Sequence, residues 1–321
     1  IKIINQLSLA HQIYQTLMIC FNHVHMCQLI RTFVWTQHYD LHSHSTNSDG
    51  EHSADYVAKL MKENAVKYWS LTDHDTISGW PLAEESAKQL GISFIPGVEI
   101  TCERGIEPNV DELKKQNRER AAKSWHLLAY FPNLTHTSEA AKRFAKWLEP
   151  LQNNRIPRMK KMIAKLADLG MPIDYEEVAR KAGGSIGRPH LAQAMVENGY
   201  VDTKFDAFEQ WIGDGLPAHV AQPKPSIAEA VQMVKQCGGV TSLAHPLYYG
   251  IPCHELAEFC KGVGIDSIEA FHRSHGDEYR YNLWQACKLV DLKISCGSDF
   301  HGQSSGHNPG RMAIPKHDLC V

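Results

Sequence analysis

The sequence predicts an α/β protein built on parallel strands, with a block of helices set into it. Three observations carry this reading. Strand-like and helix-like stretches alternate from Tyr39 to about Phe131; the pattern becomes helical throughout from about Thr137 to Pro217; the alternation then resumes. A β-α-β-α-β rhythm implies parallel strands covered by helices. A length of 321 residues allows one large α/β domain or two smaller ones with a sizeable core.

The elements follow from local pattern. In SADYVAKLMKENA, Tyr56, Val57, Leu60 and Met61 recur at helical spacing, and Ser53 is placed as the N-cap. KYWSLTDHD reads as a buried strand ending in polar residues. LAEESAKQLG is a helix closed by Gly91, because glycine accepts the left-handed conformation that ends helices. ISFIPGVEIT and SWHLLAYF are further strands, and Glu103 to Lys123 is a charged loop or short helix. The inserted helices are AAKRFAKWLEPLQ, NRIPRMKKMIAKLADLG, YEEVARKAG, HLAQAMVENG and KFDAFEQWIG. Beyond them, SIAEAVQMVKQCGG, HELAEFCKGVG and DEYRYNLWQACKLV are helices that alternate with the strands VTSLAHP, IDSIEAF and KISCGSDFH. The expected divisions are 1–38 as an extension outside the core, 39–136 and 218–321 as two parts of the α/β unit, and 137–217 as the insertion. The extension is read as tag-like or translated from upstream, and its His23 and His25 as incidental. A further strand or helix is expected after PGRMAIPKHDLCV.

Composition narrows the class. A formal net charge of −3 argues against a broad basic surface for long nucleic acid, though not against a small phosphate pocket. Nine scattered cysteines with no CxxC pair suggest neither a zinc ribbon nor a disulfide framework, so a reducing cytoplasmic location is expected. No apolar run is long enough to span a membrane. Nineteen histidines are many for this length.

Those histidines fall where the predicted strands end, the usual position of ligands in parallel α/β folds. In DLHSHSTNSDG, His42 and His44 are two apart and share one face of a strand, with Asp49 in the loop beyond. Other strand ends carry Asp73, His74 and Asp75; Glu99; His126; His245; Glu269 with His272; and Asp299 with His301. A single strand histidine is usually a hydrogen-bonded core or surface residue. So many buried polar groups without a shared partner would be costly, and divalent cations supply that partner. Alternation turns Asp73 and Asp75 away from His74. Asp40 has the parity to orient His42, and Glu269 and His272 are weaker candidates that are not counted as ligands.

Taken in order, DLHSHSTNSDG, LTDHD, PGVEI, WHLLAY, LAHP and GSDFHG resemble the motifs of the PHP (polymerase and histidinol phosphatase) superfamily, over roughly Tyr39 to Pro315. The GRPH segment and PGRMAIP look most like its branch of bacterial 3',5'-nucleoside bisphosphate phosphatases and ribonuclease AM. The resemblance implies a distorted (β/α)7 TIM-like barrel with an inserted small helical domain and a trinuclear metal site. Carried over residue by residue, His42, His44, Glu99 and Asp299 would hold one metal. Glu99 would bridge to a second, held also by His126 and His245, and Asp49, His74 and His301 would hold the third. Mixed imidazole and carboxylate ligands suit Mn, expected first, or Fe or Zn.

GGSIGRPHLAQAM places Arg188 and His190 at the start of a helix, with Gly183, Gly184 and Gly187 permitting tight turns. A helix N-terminus favours anions and arginine adds a bidentate phosphate donor. The resemblance implies that this element contacts substrate phosphate, with His190 as a candidate proton donor to the leaving oxygen. RIPRMKK, with Arg155, Arg158, Lys160 and Lys161, is expected to be a solvated helix face, with steering of a short anionic substrate as the alternative.

The implied activity is metal-dependent hydrolysis of the 3'-phosphoester in nucleoside 3',5'-bisphosphates, in 5'-phosphorylated short RNA (5'-to-3' exoribonuclease), or in both, through a metal-activated hydroxide. Partners are a small nucleotide or short RNA, not long duplexes or membranes. The alternatives are a histidinol phosphatase-like phosphomonoesterase and a non-catalytic PHP module. GRPH and the insertion count against the first, and the filled ligand positions against the second.

Overall fold

The computed structural model describes residues 35–182, 186–303, 306–310 and 312–321. The expectations for His23, His25, Gly183 and Gly184 lie outside the described residues. The first part of the chain forms β1 (Trp35–Thr36), β2 (Tyr39–Asp40), α1 (Ala54–Glu63), β3 (Tyr68–Trp69), α2 (Trp80–Leu90), β4 (Ser93–Phe94), β5 (Gly97–Cys102), α3 (Val110–Lys115) and β6 (Trp125–Tyr130). A helical stretch follows: α4 (Glu139–Asn153), α5 (Arg155–Asp168), α6 (Tyr175–Lys181), α7 (Arg188–Glu197), α8 (Lys204–Ala207) and a π-helical turn, Phe208–Ile212. The last part is α9 (Ile227–Gln236), β7 (Val240–Leu243), α10 (Cys253–Val263), β8 (Ser267–His272), α11 (Asp277–Leu289), β9 (Lys293–Gly297) and β10 (Ile314–Pro315).

Local chemistry accounts for the ends of these elements. Gly91 closes α2 at φ 67°, a left-handed turn that costs glycine little. Ser138 caps α4 by accepting the Ala141 N–H, and Ser226 caps α9 while Glu229 reaches back to the Ser226 N–H. Helix α1 buries Val57, Leu60 and Met61 as the spacing requires, but Tyr56 is exposed and rests against the His52 ring. The expected strand ISFIPGVEIT is two strands in different sheets, divided at Pro96, which has no N–H to give to a ladder.

Strands β2, β3 and β4 pair in parallel. The larger sheet has the order β5-β6-β7-β8-β9, and its β7–β8 and β8–β9 pairs are parallel. The all-parallel expectation is corrected at β6, which runs antiparallel to both β5 and β7. A parallel neighbour needs a covering crossover, and only the short α3 separates β5 from β6. One consequence concerns the site. His126, at the beginning of β6, lies opposite Thr101, near the far end of β5. A residue at the start of its strand therefore joins residues at the ends of others.

The sheets are joined at both edges. The Leu41 N–H donates to the Cys296 carbonyl at 3.0 Å and the Asp299 N–H to the His42 carbonyl at 2.8 Å. At the other edge the Asp75 N–H donates to the Glu99 carbonyl at 2.9 Å. Residues 35–36, expected within the extension, form β1 and pair antiparallel with β10, and Trp35 packs edge-on against Phe271 and Trp284. The last residues also dock: the Cys320 N–H donates to the Ile294 carbonyl, and Trp284 Nε1 donates to Asp318.

The main apolar core gathers β5–β9 with α4 and α9–α11 and includes Leu127, Phe131, Phe144, Leu148, Leu243, Ile268 and Ile294. Burying side chains of this size contributes about 2 kcal/mol each. Helices α5–α8 and the π turn share a separate cluster of Met159, Met162, Leu166, Val178, Leu191, Met195 and Ile212. No helix among the described residues is long and apolar enough to cross a membrane.

Candidate metal centre

The run after β2 carries His42 and His44 side by side, both fully buried. The turn that follows is held by Asp73, which accepts from Ser45 N and Ser45 Oγ at 2.7 Å each and from Ser48 Oγ at 2.6 Å. The small serines of DLHSHSTNSDG thus anchor the turn that carries Asp49, and Asp73 has a structural task. Asp75 likewise faces away from His74 and accepts from Thr101 N and Thr101 Oγ1.

Glu99 is the hub. Its Oε2 lies 3.2 Å from Nε2 of both His42 and His44 and 3.1 Å from His74 Nδ1. Its Oε1 lies 2.8 Å from His126 Nδ1 and 2.9 Å from His245 Nε2. Asp299 Oδ1 closes the first group at 3.4 Å from His42 Nε2 and 3.3 Å from His44 Nε2. On the other side of His44, Asp49 meets His301 Nε2 at 3.3 Å and His74 Nε2 at 3.7 Å. All nine residues singled out from the sequence therefore converge. The groups that could hold an ion are His42–His44–Glu99–Asp299, His44–Asp49–His74–His301, His74–Glu99–His126 and His42–Glu269–His272.

Two of the nine residues sit on unusual backbone. His245 has φ 29° and Asp299 φ 50°, left-handed values that non-glycine residues adopt only when their surroundings hold them. The His245 N–H donates to Glu269 Oε2 at 2.7 Å, and the Asp299 N–H to the His42 carbonyl. Periodicity in the sequence does not register such turns.

Glu269 and Asp40 divide the task of holding His42. The buried Nδ1 of His42 lies 3.0 Å from Glu269 Oε1, so Glu269 orients the ring. Asp40 holds the backbone and not the ring, accepting N–H groups from His42 at 3.4 Å, Ser298 and Gly310. His272 points Nε2 at Asp299 Oδ2 from 3.4 Å. Both residues come from β8, a continuously buried strand whose pattern named them as candidates but gave no sign of what they face.

The donor set fits divalent cations. His42 Nε2, His44 Nε2, His74 Nδ1, Asp49 Oδ1 and Glu99 Oε2 are buried without hydrogen-bond partners among the described residues, although they face one another. Clustered lone pairs of this kind are expensive to bury unless a shared cation meets them. The electrostatics agree. Burial works against a charged His44, yet the facing carboxylates of Asp299 and Glu99 push it up to about 10. Burial likewise opposes His42, but Glu269, Glu99 and Asp299 lift it well above the ordinary value. Burial brings His74 down to about 3. Protons are drawn to His42 and His44 by the same negative charge that would draw a metal ion, and a metal would displace them.

A cavity opens from Asp49, His74 and His126 towards the helical segment, and its lining includes Arg155, Arg158, Arg188 and Lys224. Arg188 begins α7, lines the cavity as expected, and pairs with Asp214 at 2.6 Å. Burial opposes the Asp214 carboxylate, but Arg188, Lys224 and His219 hold it at about 2. His190 is buried behind this wall. Its Nδ1 accepts the Gly187 N–H at 3.0 Å, and burial lowers its pKa. The solvated face expected for RIPRMKK holds for Lys160 and Lys161 only. Arg155 donates to Asp75 at 2.6 Å and to the His74 carbonyl at 3.2 Å. Arg158 donates to the Val220 carbonyl at 2.7 Å, and burial beside Arg188 lowers it to about 10. Helical spacing reveals a basic face but not what that face looks at.

The buried histidine–carboxylate cluster and its basic cavity define the class of a metal-dependent phosphoesterase. The chain belongs to the PHP domain family, whose model matches residues 40–211. The 5'-3' exoribonuclease of Haemophilus influenzae is 31% identical over 275 residues, covering 83% of this chain and 90% of that protein. The 3',5'-nucleoside bisphosphate phosphatase of Chromobacterium violaceum is 26% identical over 272 residues, covering 83% and 88%. Among solved structures, a protein from Bifidobacterium adolescentis described as a metal-dependent phosphoesterase superposes with TM-score 0.71 at 26% identity, over 88% of this chain and 95% of that one.

Proposed function

We propose that the enzyme hydrolyses the 3'-phosphoester of nucleoside 3',5'-bisphosphates and of short 5'-phosphorylated RNA. The observation that carries this is one cavity lined both by cluster residues Asp49, His74 and His126 and by the cationic side chains Arg155, Arg158, Arg188 and Lys224. A phosphomonoester needs only the cluster, whereas a substrate with two phosphates uses both. The names of the Haemophilus and Chromobacterium relatives support the same substrate class.

Three divalent ions suit the cluster, with Mn favoured and Fe or Zn as alternatives. His42, His44, Glu99 and Asp299 would hold one; Glu99 would be shared with a second held by His126 and His245; Asp49, His74 and His301 would hold the third. When bound, such ions supply positive charge for the phosphoryl oxygens and acidify water towards a pKa of ~7. The protein's own side chains do the rest. Glu269 fixes the His42 ring, Asp73 fixes the turn that carries Asp49, and Arg188 receives substrate phosphate while Asp214 keeps its guanidinium in place. His190 supports the Gly187 turn that presents Arg188. We also read the strands as a distorted barrel, supported by the backbone hydrogen bonds at both sheet edges. The separate apolar cluster of α5–α8 supports an inserted helical domain.

The test is phosphate release by the purified, Mn2+-loaded protein from adenosine 3',5'-bisphosphate and histidinol phosphate side by side. Release from the bisphosphate, leaving adenosine 5'-phosphate, is expected. Activity confined to histidinol phosphate would overturn the proposal.

A further inference from the structure

We propose that a second groove, which meets the first cavity at His126, binds the RNA chain beyond the scissile phosphorus. This rests on the nucleotide reading above and deepens it by making single-stranded RNA a substrate in its own right.

The geometry is that of a divided channel. The first cavity opens at Asp49, His74 and His126, and the second groove at His126 and His245. Ser124, His126, Arg188 and Phe208 line both. Arg188 lies over the Phe208 ring, 5.7 Å from its centroid, and forms a post between the two spaces. The candidate metal cluster thus opens into both spaces. A nucleoside bisphosphate has something to place in one only. In RNA the phosphorus carries a second ester, which must leave the cluster by another route.

The groove carries the chemistry that single strands favour, cationic side chains interleaved with an aromatic ring. Arg118 lies over the Tyr248 ring at 4.8 Å, and Tyr248 in turn lies 5.5 Å from the His245 ring. The Arg118 Nε is buried without a hydrogen-bond partner. Arg120 and Lys123 continue the wall, are exposed, and have no ion-pair partner among the described residues. Glu119 and Glu209 oppose them; Asp214, also on the wall, is taken up by Arg188. The excess of positive charge is modest, enough for a short strand and not for a long duplex.

The bond accounting is simple. Water adds to phosphorus, the 3'-oxygen–phosphorus bond breaks, and the 3'-oxygen takes a proton. A 5'-mononucleotide leaves on the Arg188 side. The downstream chain keeps the phosphate as its new 5'-end and is held by Arg118, Arg120 and Lys123 for the next cycle.

The experiment compares the Mn2+-loaded wild type with two variants, Arg118→Ala/Arg120→Ala/Lys123→Ala and the exposed pair Arg120→Glu/Lys123→Glu. Substrates are adenosine 3',5'-bisphosphate and a short 5'-phosphorylated oligoribonucleotide. In both variants kcat/KM for the oligonucleotide is expected to fall at least about tenfold, with the bisphosphate little changed. For the triple variant the slope of log kcat/KM against log salt should also flatten by about two. Equal losses on both substrates, or no loss on either, would overturn the groove assignment. So would a wild type that hydrolyses the bisphosphate and not the oligonucleotide. A wild type inactive on both removes the nucleotide reading itself.

Discussion

The imidazole Nδ1 of His42 lies 3.0 Å from Oε1 of Glu269, and neither side chain is exposed to solvent. A carboxylate behind a ligating histidine fixes the ring and its tautomer and raises the basicity of the other nitrogen. Glu269→Gln keeps the shape and loses the charge. Metal affinity is expected to fall about 10- to 100-fold, with activity returning as metal is added. Metal content after equilibrium dialysis checks this; an unchanged affinity would make Glu269 a packing residue only.

Glu99 touches five histidines through two oxygens, so its replacement is the harshest test of the shared-ligand assignment. Glu99→Gln should disturb two metals together and abolish hydrolysis. Near-normal turnover with a full metal complement would show that Glu99 bridges nothing.

Arg188 and Asp214 form a second pair, at 2.6 Å on the cavity wall. Hydrogen bonds to charged groups contribute about 1.5–3 kcal/mol. Arg188→Ala is therefore expected to lower kcat/KM for the bisphosphate by roughly 10- to 100-fold while bound metal stays the same. Steady-state kinetics alongside metal analysis separates the two.

Much of this was legible in the sequence, and the rest has physical reasons for being hidden. Helix α2 was readable because Gly91 signals its end, and the histidines were readable because they fall at strand ends. Glu269 was readable as a strand-end candidate but its task behind His42 was not, because in a strand buried on both faces a polar residue carries no periodic signal of what it faces. Nor was the direction of β6, which depends on what lies between strands and not on the strand itself. Arg155 and Arg158 looked like a wet helix face because the helix period cannot say that the face lines the cavity of the site.

Asp214 also sets a pH dependence. Its pKa falls from 3.8 to about 2 on folding, so the folded state favours the charged form. The sign follows: this stabilisation is complete above about pH 4 and is lost as pH falls through about 2. Asp214→Asn should therefore be less stable than wild type at neutral pH, with the gap closing between pH 4 and 2. Urea unfolding of both proteins across that window measures it, and a gap constant with pH would mean that the loss is steric.

Gly297 ends β9 directly behind the first histidine. A Cβ built there would stand 2.1 Å from the His42 Cβ and 2.8 Å from Glu269 Oε1. Neither neighbour is a loose side-chain end. The His42 Cβ is fixed to a backbone whose carbonyl is taken by the Asp299 N–H, and Glu269 is tied to both His42 and the His245 N–H. Even one methyl group must move the strand or the histidine. Overpacking of this kind costs about 1–3 kcal/mol, which a protein of this size can survive. Gly297→Ala is therefore expected to fold, to melt several degrees lower, and to lose metal affinity by more than its melting temperature suggests, because His42 is displaced from Glu99 and Asp299. Calorimetry and metal titration on the same preparation test the two effects together. A variant with lowered stability and normal metal binding would show that the strand yields and the histidine does not.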